Sequence, residues 1–425
     1  MGSKEFFAKP EEIDPDKFLL ATYYVESNLP LREAGARIAT EESIGTWTEL
    51  TTTPTWVRKK LPARVFKFEK GKTGKISIAY PIELFDIESG GIPNILSIVA
   101  GNLFGLAELT NVRLLDVQFP KQAVSHFPGP KFGIEGVRKI VSTLEQRRPH
   151  LGTIIKPKVG LNPKQTAQVA YEAATGGVDF IKDDETLTSQ NFCPLVERVS
   201  RVMEALDKVK EESNRSVFYA VNVTATYDKL FELAEQALSH GANMLMIDVL
   251  TAGFSAIQLL ARDPSIKVPL HIHRTMHAAI TRNPKHGIHM MFLAKLVRLA
   301  GGDQLHIGSA AGKMEQEVTG LKEINDFLKN NWFGLKPVFP VASGGIHPGI
   351  VANNIGVLGA DCVINAGGGI HGHPLGTRAG ATAMRQAIDA AMKQILVEEY
   401  AKTHRELRLA VEKWGTRYAE KAKLD

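Results

Sequence analysis

Short apolar segments recur along the chain from about residue 151 onward, and each is followed by a polar or glycine-rich turn and then a helical stretch. Most of these segments are continuous apolar runs, which is typical of strands that a parallel sheet buries on both faces. Eight segments have this pattern: 152–156, 178–182, 218–223, 244–248, 268–273, 304–308, 338–343 and 361–366. Eight strand–helix repeats predict a TIM (β/α)8 barrel, because doubly wound sheets rarely reach eight uninterrupted repeats.

Helical periodicity predicts the segments between these strands and the end of the chain. The predicted helices are 163–175, 190–211, 227–239, 286–300, 314–330, 349–358 and 377–415. The first part of the chain differs, with strands expected at 18–25, 65–68, 75–81 and 112–119, helices at 31–40 and 92–99, and a connecting helix at 134–145. The predicted fold class is α/β, with an α+β N-terminal domain over residues 1–130 and a TIM-barrel catalytic domain with a C-terminal helical tail over residues 131–425.

Composition narrows the classes of function. The net charge of +5, from 51 basic and 46 acidic residues, is small and spread out, so it does not indicate a nucleic-acid partner but is compatible with an anionic small substrate. The two cysteines form no disulfide framework, which predicts a cytoplasmic protein. The chain begins without an apolar signal region, and no run of about 18 apolar residues predicts a membrane span.

Polar residues and glycines concentrate where the predicted strands end. They are Lys156 and Lys158; Lys182, Asp184 and Glu185; Asn222; Asp248; His273, Arg274 and His277; His306; Ser343, Gly344 and Gly345; and Gly367, Gly368 and Gly369. In a TIM barrel these ends meet at one face, where active sites lie. Convergence from all eight strands therefore favours an active site over a purely structural explanation.

The acidic run after the second predicted strand suits a hard divalent cation. Side chains alternate along a strand, so Lys182 and Asp184 point the same way and Asp183 points the other, while Glu185 is free to turn inward. The alternative is a solvated loop, since charge runs usually face water. Lys156 and Lys158 lie close together across a stiff proline and suit proton transfer, unless they are two separately solvated lysines.

Two glycine clusters follow the last two predicted strands, in the loops that form the usual phosphate site of this barrel. Their backbone N–H groups can bind an anion, although glycines also simply allow tight turns. Arg274 and His306 could bind a second oxyanion, or they could form a structural ion pair and a core-bonded imidazole. The glycines of the loop at 308–315 suit a lid that closes over substrate.

These motifs carry a resemblance that runs in one order over nearly the whole chain. They are GTIIKPKVG at 152–160, GVDFIKDDE at 177–185, HIHRTMH at 271–277, GK at 312–313, SGG at 343–345 and GGG at 367–369, preceded by Glu41, GTW at 45–47 and GN at 101–102. Together they resemble the large subunit of ribulose-1,5-bisphosphate carboxylase/oxygenase (Rubisco), and the closest similarity is to archaeal form III enzymes, which function without small subunits.

The resemblance implies a cofactor and a reaction. Lys182 would react with a non-substrate CO2 to form a carbamate, which would bind Mg2+ together with Asp184 and Glu185. The carbamate would take a proton from ribulose 1,5-bisphosphate, Mg2+ would stabilise the enediolate, and addition of CO2 (or O2) would lead to 3-phosphoglycerate.

The remaining site residues also receive roles from the resemblance. Lys156 would manage protons at C2, Lys158 would assist near the metal, and His273 would help to hydrate and cleave the intermediate. Lys313 would close over the site with Glu41 as its ion partner. The implied substrate-binding residues are Thr46, Trp47, Asn102, Thr153, Arg274, His306, Ser343, Gly344, Gly345, Gly367 and Gly368.

Two phosphate sites and a shared active site follow from the same resemblance. One phosphate would bind Gly345, Gly367 and Gly368 with Thr46 and Trp47, and the other would bind Arg274 and His306, while Ser343 would bond a substrate hydroxyl. In the family, Glu41, Thr46, Trp47 and Asn102 come from the neighbouring chain, which implies a homodimer or an assembly of dimers without small subunits.

One departure keeps other functions open. The family lid usually reads Thr-Val-Val-Gly-Lys, whereas this chain has Ser309-Ala310-Ala311 before Gly312-Lys313, and smaller residues pack a closed lid less well. A Rubisco-like isomerase, enolase or decarboxylase acting on another sugar phosphate is therefore an alternative. A non-catalytic binding protein on the same barrel is a third hypothesis, although no principal charged group is missing.

Overall fold

The computed structural model describes residues 4–46, 48, 50–312 and 318–417. The chain forms two compact units, one of Met1–Pro128 with Met276–Ala300 and the other of Gly129–Thr275 with Gly301–Asp425. In the described part of the chain, no helix is both long enough and apolar enough to cross a membrane.

The helices and strands are numbered in chain order. The strands are β1 Phe18–Ser27, β2 Arg64–Phe68, β3 Thr73–Pro81, β4 Leu109–Gln118, β5 His150–Ile154, β6 Phe180–Lys182, β7 Phe218–Asn222, β8 Met244–Asp248, β9 Leu270–His273, β10 Gly287–Ile288, β11 Gln304–His306, β12 Phe339–Ser343 and β13 Val363–Ala366. The helices are α1 Leu31–Glu41, α2 Thr55–Lys60, α3 Gly91–Val99, α4 Lys121–Val124, α5 Gly133–Ile140, α6 Pro163–Thr175, α7 Leu195–Ser213, α8 Tyr227–Ser239, α9 Val249–Ala252, α10 Phe254–Arg262, α11 Ala278–Thr281, α12 Met290–Ala300, α13 Val318–Lys329, α14 Val351–Leu358, α15 Gly368–His371, α16 Gly376–Met392, α17 Val397–Ala401 and α18 Arg405–Trp414.

The first unit contains a five-stranded sheet in the order β10-β4-β1-β3-β2. Strand β1 alternates buried and partly exposed side chains and pairs antiparallel with β3 and β4, as period-two patterning requires. The helix predicted at 286–300 begins only at Met290, because residues 287 and 288 form β10 and pair with Arg113 and Leu114 of β4. Local periodicity could not indicate a partner so far away in the chain.

The second unit is a closed barrel of eight parallel strands in the order β11-β12-β13-β5-β6-β7-β8-β9. Its helices follow the strands, so the predicted TIM barrel is confirmed. Each of the eight predicted strands is present, but the first lies two residues earlier, at His150–Ile154. Lys156 is therefore a loop residue rather than the last residue of a strand.

Apolar side chains fill the end of the barrel where the strands begin. The first residues of several strands pack with α5 in one buried cluster, whose members include Ile134, Val137, Phe180, Phe218, Met244, Phe339 and Val363. Helix α5 thus packs against the amino-terminal ends of the strands. The polar chemistry lies at the opposite, carboxyl-terminal ends.

A buried polar network anchors the segment after β6. The Asp183 carboxylate accepts hydrogen bonds from the Tyr219 hydroxyl at 2.5 Å, from Arg198 Nη2 at 3.2 Å and from the Asn222 backbone N–H at 3.0 Å. Arg198 also donates to the carbonyl oxygens of Cys193 and Thr188, and its side chain and that of Asp183 are fully buried. The donors to this carboxylate therefore come from β7 and from helix α7.

We expect Arg198→Met to lower the apparent melting temperature by about 5 °C or more, because removing one partner leaves the Asp183 charge buried without compensation. Arg201→Met is the matched control on the same helix, because Arg201 pairs with Glu197 in solvent and should shift the melting temperature by only about 1 °C. Equal shifts in the two variants, measured by calorimetry, would contradict the anchoring role.

Candidate active site

Lys182 and the carboxylates after it converge at the carboxyl end of β6. The Lys182 side chain is fully buried, and its Nζ donates to the backbone oxygen of Asp183 at 2.7 Å and lies 3.7 Å from Oε2 of Glu185. Burial lowers the pKa of Lys182, and the neighbouring carboxylates offset this only in part. The amine is therefore more readily neutral than the amine of an ordinary lysine.

Two more lysines reach the same carboxylates from the loop after β5. Lys156 Nζ donates to Asp184 Oδ2 at 2.7 Å, and Lys158 Nζ lies 4.0 Å from both Asp184 and Glu185. Thr186 donates its hydroxyl hydrogen to the other oxygen of Asp184 at 2.9 Å. Burial alone would raise the pKa of Asp184, but the Lys156 hydrogen bond and charge bring it below its usual value, so the carboxylate stays ionised.

His273 joins this cluster from the end of β9. Its Nδ1 lies 3.0 Å from Oδ1 of the buried Asp248, and its Nε2 lies 3.8 Å from Oε2 of Glu185. Burial lowers the pKa of His273 in spite of the hydrogen bond to Asp248, so the ring is neutral near pH 7. Nδ1 faces both Asp248 Oδ1, which can only accept, and the backbone N–H of Thr275 at 3.2 Å, which can only donate, so these two contacts favour opposite tautomers of the ring.

The glycine clusters after β12 and β13 form closely packed loops. Gly344 and Gly345 have φ angles of +113° and +78°, a region that favours glycine. A Cβ on Gly369 would collide with the backbone oxygen of Ile346, and one on Gly367 would lie 3.1 Å from Cε of Lys156. The two loops therefore lie against each other and beside the lysine cluster.

Arg274 and His306 differ in their surroundings. Arg274 is half-buried, forms no ion pair with any described residue, and has its pKa lowered by burial. A guanidinium without a counter-charge suits an incoming oxyanion. His306 is hydrogen-bonded within the barrel, to His271 at 2.9 Å and to Ser343 Oγ at 2.7 Å. The Thr153 hydroxyl is also engaged internally, since it donates to the backbone oxygen of Ala366 at 2.8 Å.

Other predicted site residues lie in the first unit or outside the described ranges. Glu41 and Asn102 are close together, with Asn102 Nδ2 3.4 Å from Glu41 Oε1, and Thr46 follows in an irregular segment. Trp47 and Lys313 fall outside the described residues. The described part of the lid loop ends at Gly312, which packs against the backbone oxygen of Gly344.

The side chains at the carboxyl end of β6 lack one oxygen donor for a metal site. Within the ranges that the structure describes, no group of three or more histidine, cysteine, aspartate or glutamate side chains could hold a metal ion. Asp184 and Glu185 supply only two carboxylates, and the adjacent group is the Lys182 amine. Conversion of that amine to a carbamate would supply the missing oxygen donor and reverse the local charge, so these residues fit a carbamate-assisted Mg2+ site.

Sequence reasoning missed the polar residues inside the barrel strands. His271 and Gln304 are fully buried and lie next to His306, although their segments were interpreted as apolar. Their spacing was the available signal, because His271 with His273 and Gln304 with His306 are two residues apart and share a strand face.

Two cavities lie away from the strand-end cluster. One, of about 260 Å³, is lined by Arg148, Asp179 and Arg215 among others, and another, of about 320 Å³, lies between α6 and α7. Arg148 already forms a two-point ion pair with Asp179, at 2.7 and 2.8 Å. Neither cavity contains the lysine–carboxylate cluster, so the candidate active site remains at the carboxyl ends of the strands.

The fold and the site define a TIM-barrel enzyme with its charged cluster at the carboxyl ends of the strands. The chain belongs to the Rubisco large-chain family: residues 133–414 match "Ribulose bisphosphate carboxylase large chain, catalytic domain" and residues 7–123 match the N-terminal domain of the same family. This confirms the family expected from the motifs.

Relatives and solved structures agree over almost the whole chain. The chain is 45% identical over 400 residues to "Ribulose bisphosphate carboxylase" of Pyrococcus furiosus, covering 93% of this chain and 94% of the relative. It is 46% identical over 404 residues to the protein of that name from Methanocaldococcus jannaschii, covering 90% and 94%. It is similar to the octameric Rubisco of Pyrococcus horikoshii, with 42% identity, a TM-score of 0.91 and coverage of 98% and 97%. It is also similar to the dimeric archaeal Rubisco of Hyperthermus butylicus, with 39% identity, a TM-score of 0.88 and coverage of 97% and 99%.

We expect Gly369→Ala to destabilise the protein by about 2 kcal/mol, because the added methyl group forces the two glycine loops apart. Gly368→Ala is the matched control, since a Cβ there meets nothing within 4 Å and should leave stability nearly unchanged. Urea unfolding of both variants measures the difference. Comparable losses would show that the loops are not in close contact.

Proposed function

We propose that the protein carboxylates, and with O2 oxygenates, ribulose 1,5-bisphosphate to give 3-phosphoglycerate. The observation that carries the proposal is the cluster of buried Lys182 with Asp184 and Glu185 at the mouth of the barrel. The relatives bear the name ribulose bisphosphate carboxylase, which supports the same reaction. A cytoplasmic location remains a prediction.

Lys182 would bind the cofactor after reacting with CO2. A neutral amine is required to form a carbamate, and burial lowers the pKa of Lys182 in the required direction. Asp184 and Glu185 would complete the set of oxygen donors. Mg2+ at this position would supply Lewis-acid stabilisation of negative charge that develops on the substrate.

His273 and Lys156 would move protons. Nε2 of His273 lies 3.8 Å from Oε2 of Glu185, so this nitrogen would accept a proton from the water that hydrates the carboxylated substrate. The ammonium of Lys156, held by Asp184 at 2.7 Å, would donate a proton to the product carbanion at C2. Lys158, 4.0 Å from both carboxylates, would assist by adding positive charge, and Lys313 would close over the substrate with Glu41 as its partner.

Two anion-binding regions support a doubly phosphorylated substrate. Gly344 and Gly345, with the glycines after β13, would bind one phosphate through backbone N–H groups. The guanidinium of Arg274, which forms no ion pair with any described residue, would bind the other, near His306. The sugar between them would then lie over Lys182.

The working unit is proposed to be a homodimer or an assembly of dimers without small subunits. Dimeric and octameric archaeal Rubiscos are among the similar solved structures. In such a dimer, the Glu41–Asn102 pair would complete the neighbouring chain's site, together with Thr46 and Trp47.

A second candidate is a Rubisco-like isomerase, enolase or decarboxylase acting on another sugar phosphate. The small residues of the lid favour it, because Ser309, Ala310 and Ala311 offer little side chain to hold a closed lid, and the buried Ser309 hydroxyl has no hydrogen-bond partner in the described part of the chain.

Incubation of the purified protein with Mg2+, labelled bicarbonate and ribulose 1,5-bisphosphate should yield labelled 3-phosphoglycerate. Chelation of Mg2+ or Lys182→Ala should abolish the label, because either removes the metal site. An unlabelled rearranged sugar phosphate would instead identify the second candidate. A fully active Lys182→Ala variant would contradict the metal assignment.

Carbamate formation can be observed without substrate. With 13C-labelled CO2 and Mg2+, we expect one carbamate signal in the 13C NMR spectrum, absent in Lys182→Met and retained in Lys164→Met, which removes an exposed lysine. Because the lowered pKa leaves Lys182 neutral where exposed lysines are still protonated, the signal should persist at a pH below the usual lysine pKa. A signal that survives in Lys182→Met would place the carbamate elsewhere.

A further inference from the structure

A chain of hydrogen bonds runs from the barrel interior to Ser343. His271 Nδ1 lies 2.8 Å from Oε1 of Gln304, and His271 Nε2 lies 2.9 Å from Nε2 of His306. His306 Nδ1 in turn lies 2.7 Å from Oγ of Ser343. Gln304 and His271 are fully buried and His306 is nearly so, whereas Ser343 is only half-buried at the carboxyl end of β12.

Both rings are neutral, so each carries one hydrogen. Burial lowers the pKa of His271 and of His306 well below the usual value. A neutral imidazole has one donor and one acceptor nitrogen. The group at the buried end of this series of hydrogen bonds therefore determines which atom donates and which accepts in every bond.

That group is the carbonyl oxygen of Gln304, which can only accept. His271 must therefore carry its hydrogen on Nδ1, and its bare Nε2 must accept from Nε2–H of His306. The bare Nδ1 of His306 must accept the hydroxyl hydrogen of Ser343. The lone pairs of the Ser343 hydroxyl oxygen are then left to accept a hydrogen bond from a molecule bound at the mouth of the barrel.

We infer that Gln304 is a positioning residue that makes Ser343 a hydrogen-bond acceptor toward a hydroxyl group of the substrate. The inference rests on the proposed function for the identity of that substrate. Ser343 would favour a sugar hydroxyl and disfavour a carbonyl or phosphate oxygen, whose lone pairs would oppose its own. The side-chain nitrogen of Gln304 has no hydrogen-bond partner among the described residues, so the amide contributes through its oxygen.

Neutron diffraction from a deuterated crystal of the ligand-free protein tests the direction of the chain. Deuterium is expected on His271 Nδ1, on His306 Nε2 and on Ser343 Oγ pointing to His306. The opposite pattern, or deuterium on both nitrogens of either ring, would overturn the inference. This readout does not depend on activity, so it decides the inference even if the carboxylase assay fails.

Kinetics test the consequence for substrate. Gln304→Leu removes the oxygen that holds the hydrogen of His271 on Nδ1, so Ser343 is no longer constrained to donate to His306. The KM for ribulose 1,5-bisphosphate should then rise about 3- to 10-fold with kcat nearly unchanged, as expected for the loss of one hydrogen bond to the substrate. Asn365→Leu is the matched control, because Asn365 is also a fully buried barrel amide without a partner in the described structure but lies outside the chain of bonds. Its KM should stay within about 2-fold of the parent value.

A double-mutant cycle separates this role from simple packing. In a Ser343→Ala background, Gln304→Leu should change KM less than about 2-fold, because the acceptor that it controls is gone. Fully additive effects would overturn the inference. If Gln304→Leu does not accumulate as folded protein, Gln304→Met, which is closer in shape and lacks the carbonyl oxygen, takes its place in the cycle.

Discussion

The anchored carboxylate of Asp183 is the constraint on which the candidate site depends. Arg198, Tyr219 and the Asn222 backbone hold it inside the barrel wall, and the Asn222 side chain donates to the Glu185 backbone oxygen at 3.3 Å. Because side chains alternate along an extended segment, a fixed Asp183 sends Lys182 and Asp184 to the other side. The network around Asp183 thus positions Lys182, Asp184 and Glu185 without taking part in their chemistry, as preorganised sites require.

Burial then determines the protonation states around this cluster. It lowers the pKa of Lys182 and of His271, His273 and His306, so neutral nitrogens lie beside ionised carboxylates. Lys156 and Lys158 lie closer to solvent, with side chains 29% and 57% exposed, and act as cations toward Asp184. Amines that meet at the same carboxylates can therefore have different chemistry: the buried Lys182 is suited to reaction with CO2, and the more exposed Lys156 and Lys158 are suited to proton transfer and charge stabilisation.

Much of the barrel could be predicted because each strand–helix unit is encoded locally. Continuous apolar runs ended by charged or glycine residues identified all eight barrel strands, and period-two alternation predicted that Asp183 would face away from Lys182 and Asp184. The predicted bounds of strands and helices were wrong where pairing with a distant strand decides them. Strand β5 begins at His150, and β10 forms because it pairs with β4, far earlier in the chain. The Gln304–His271–His306 chain was missed because polar residues in apolar segments gain a partner only across strands.

The sequence by itself determined the fold class, the family, the kinds of reactive group and the face of the strand on which each lies. These properties follow from local periodicity and from short motifs, which need no knowledge of distant residues. Only the tertiary structure decided which amine loses its solvent, which carboxylate meets which lysine, and which group each histidine nitrogen faces. Those outcomes depend on desolvation and hydrogen-bond partners supplied by residues far apart in the chain, and barrel closure is what brings them together.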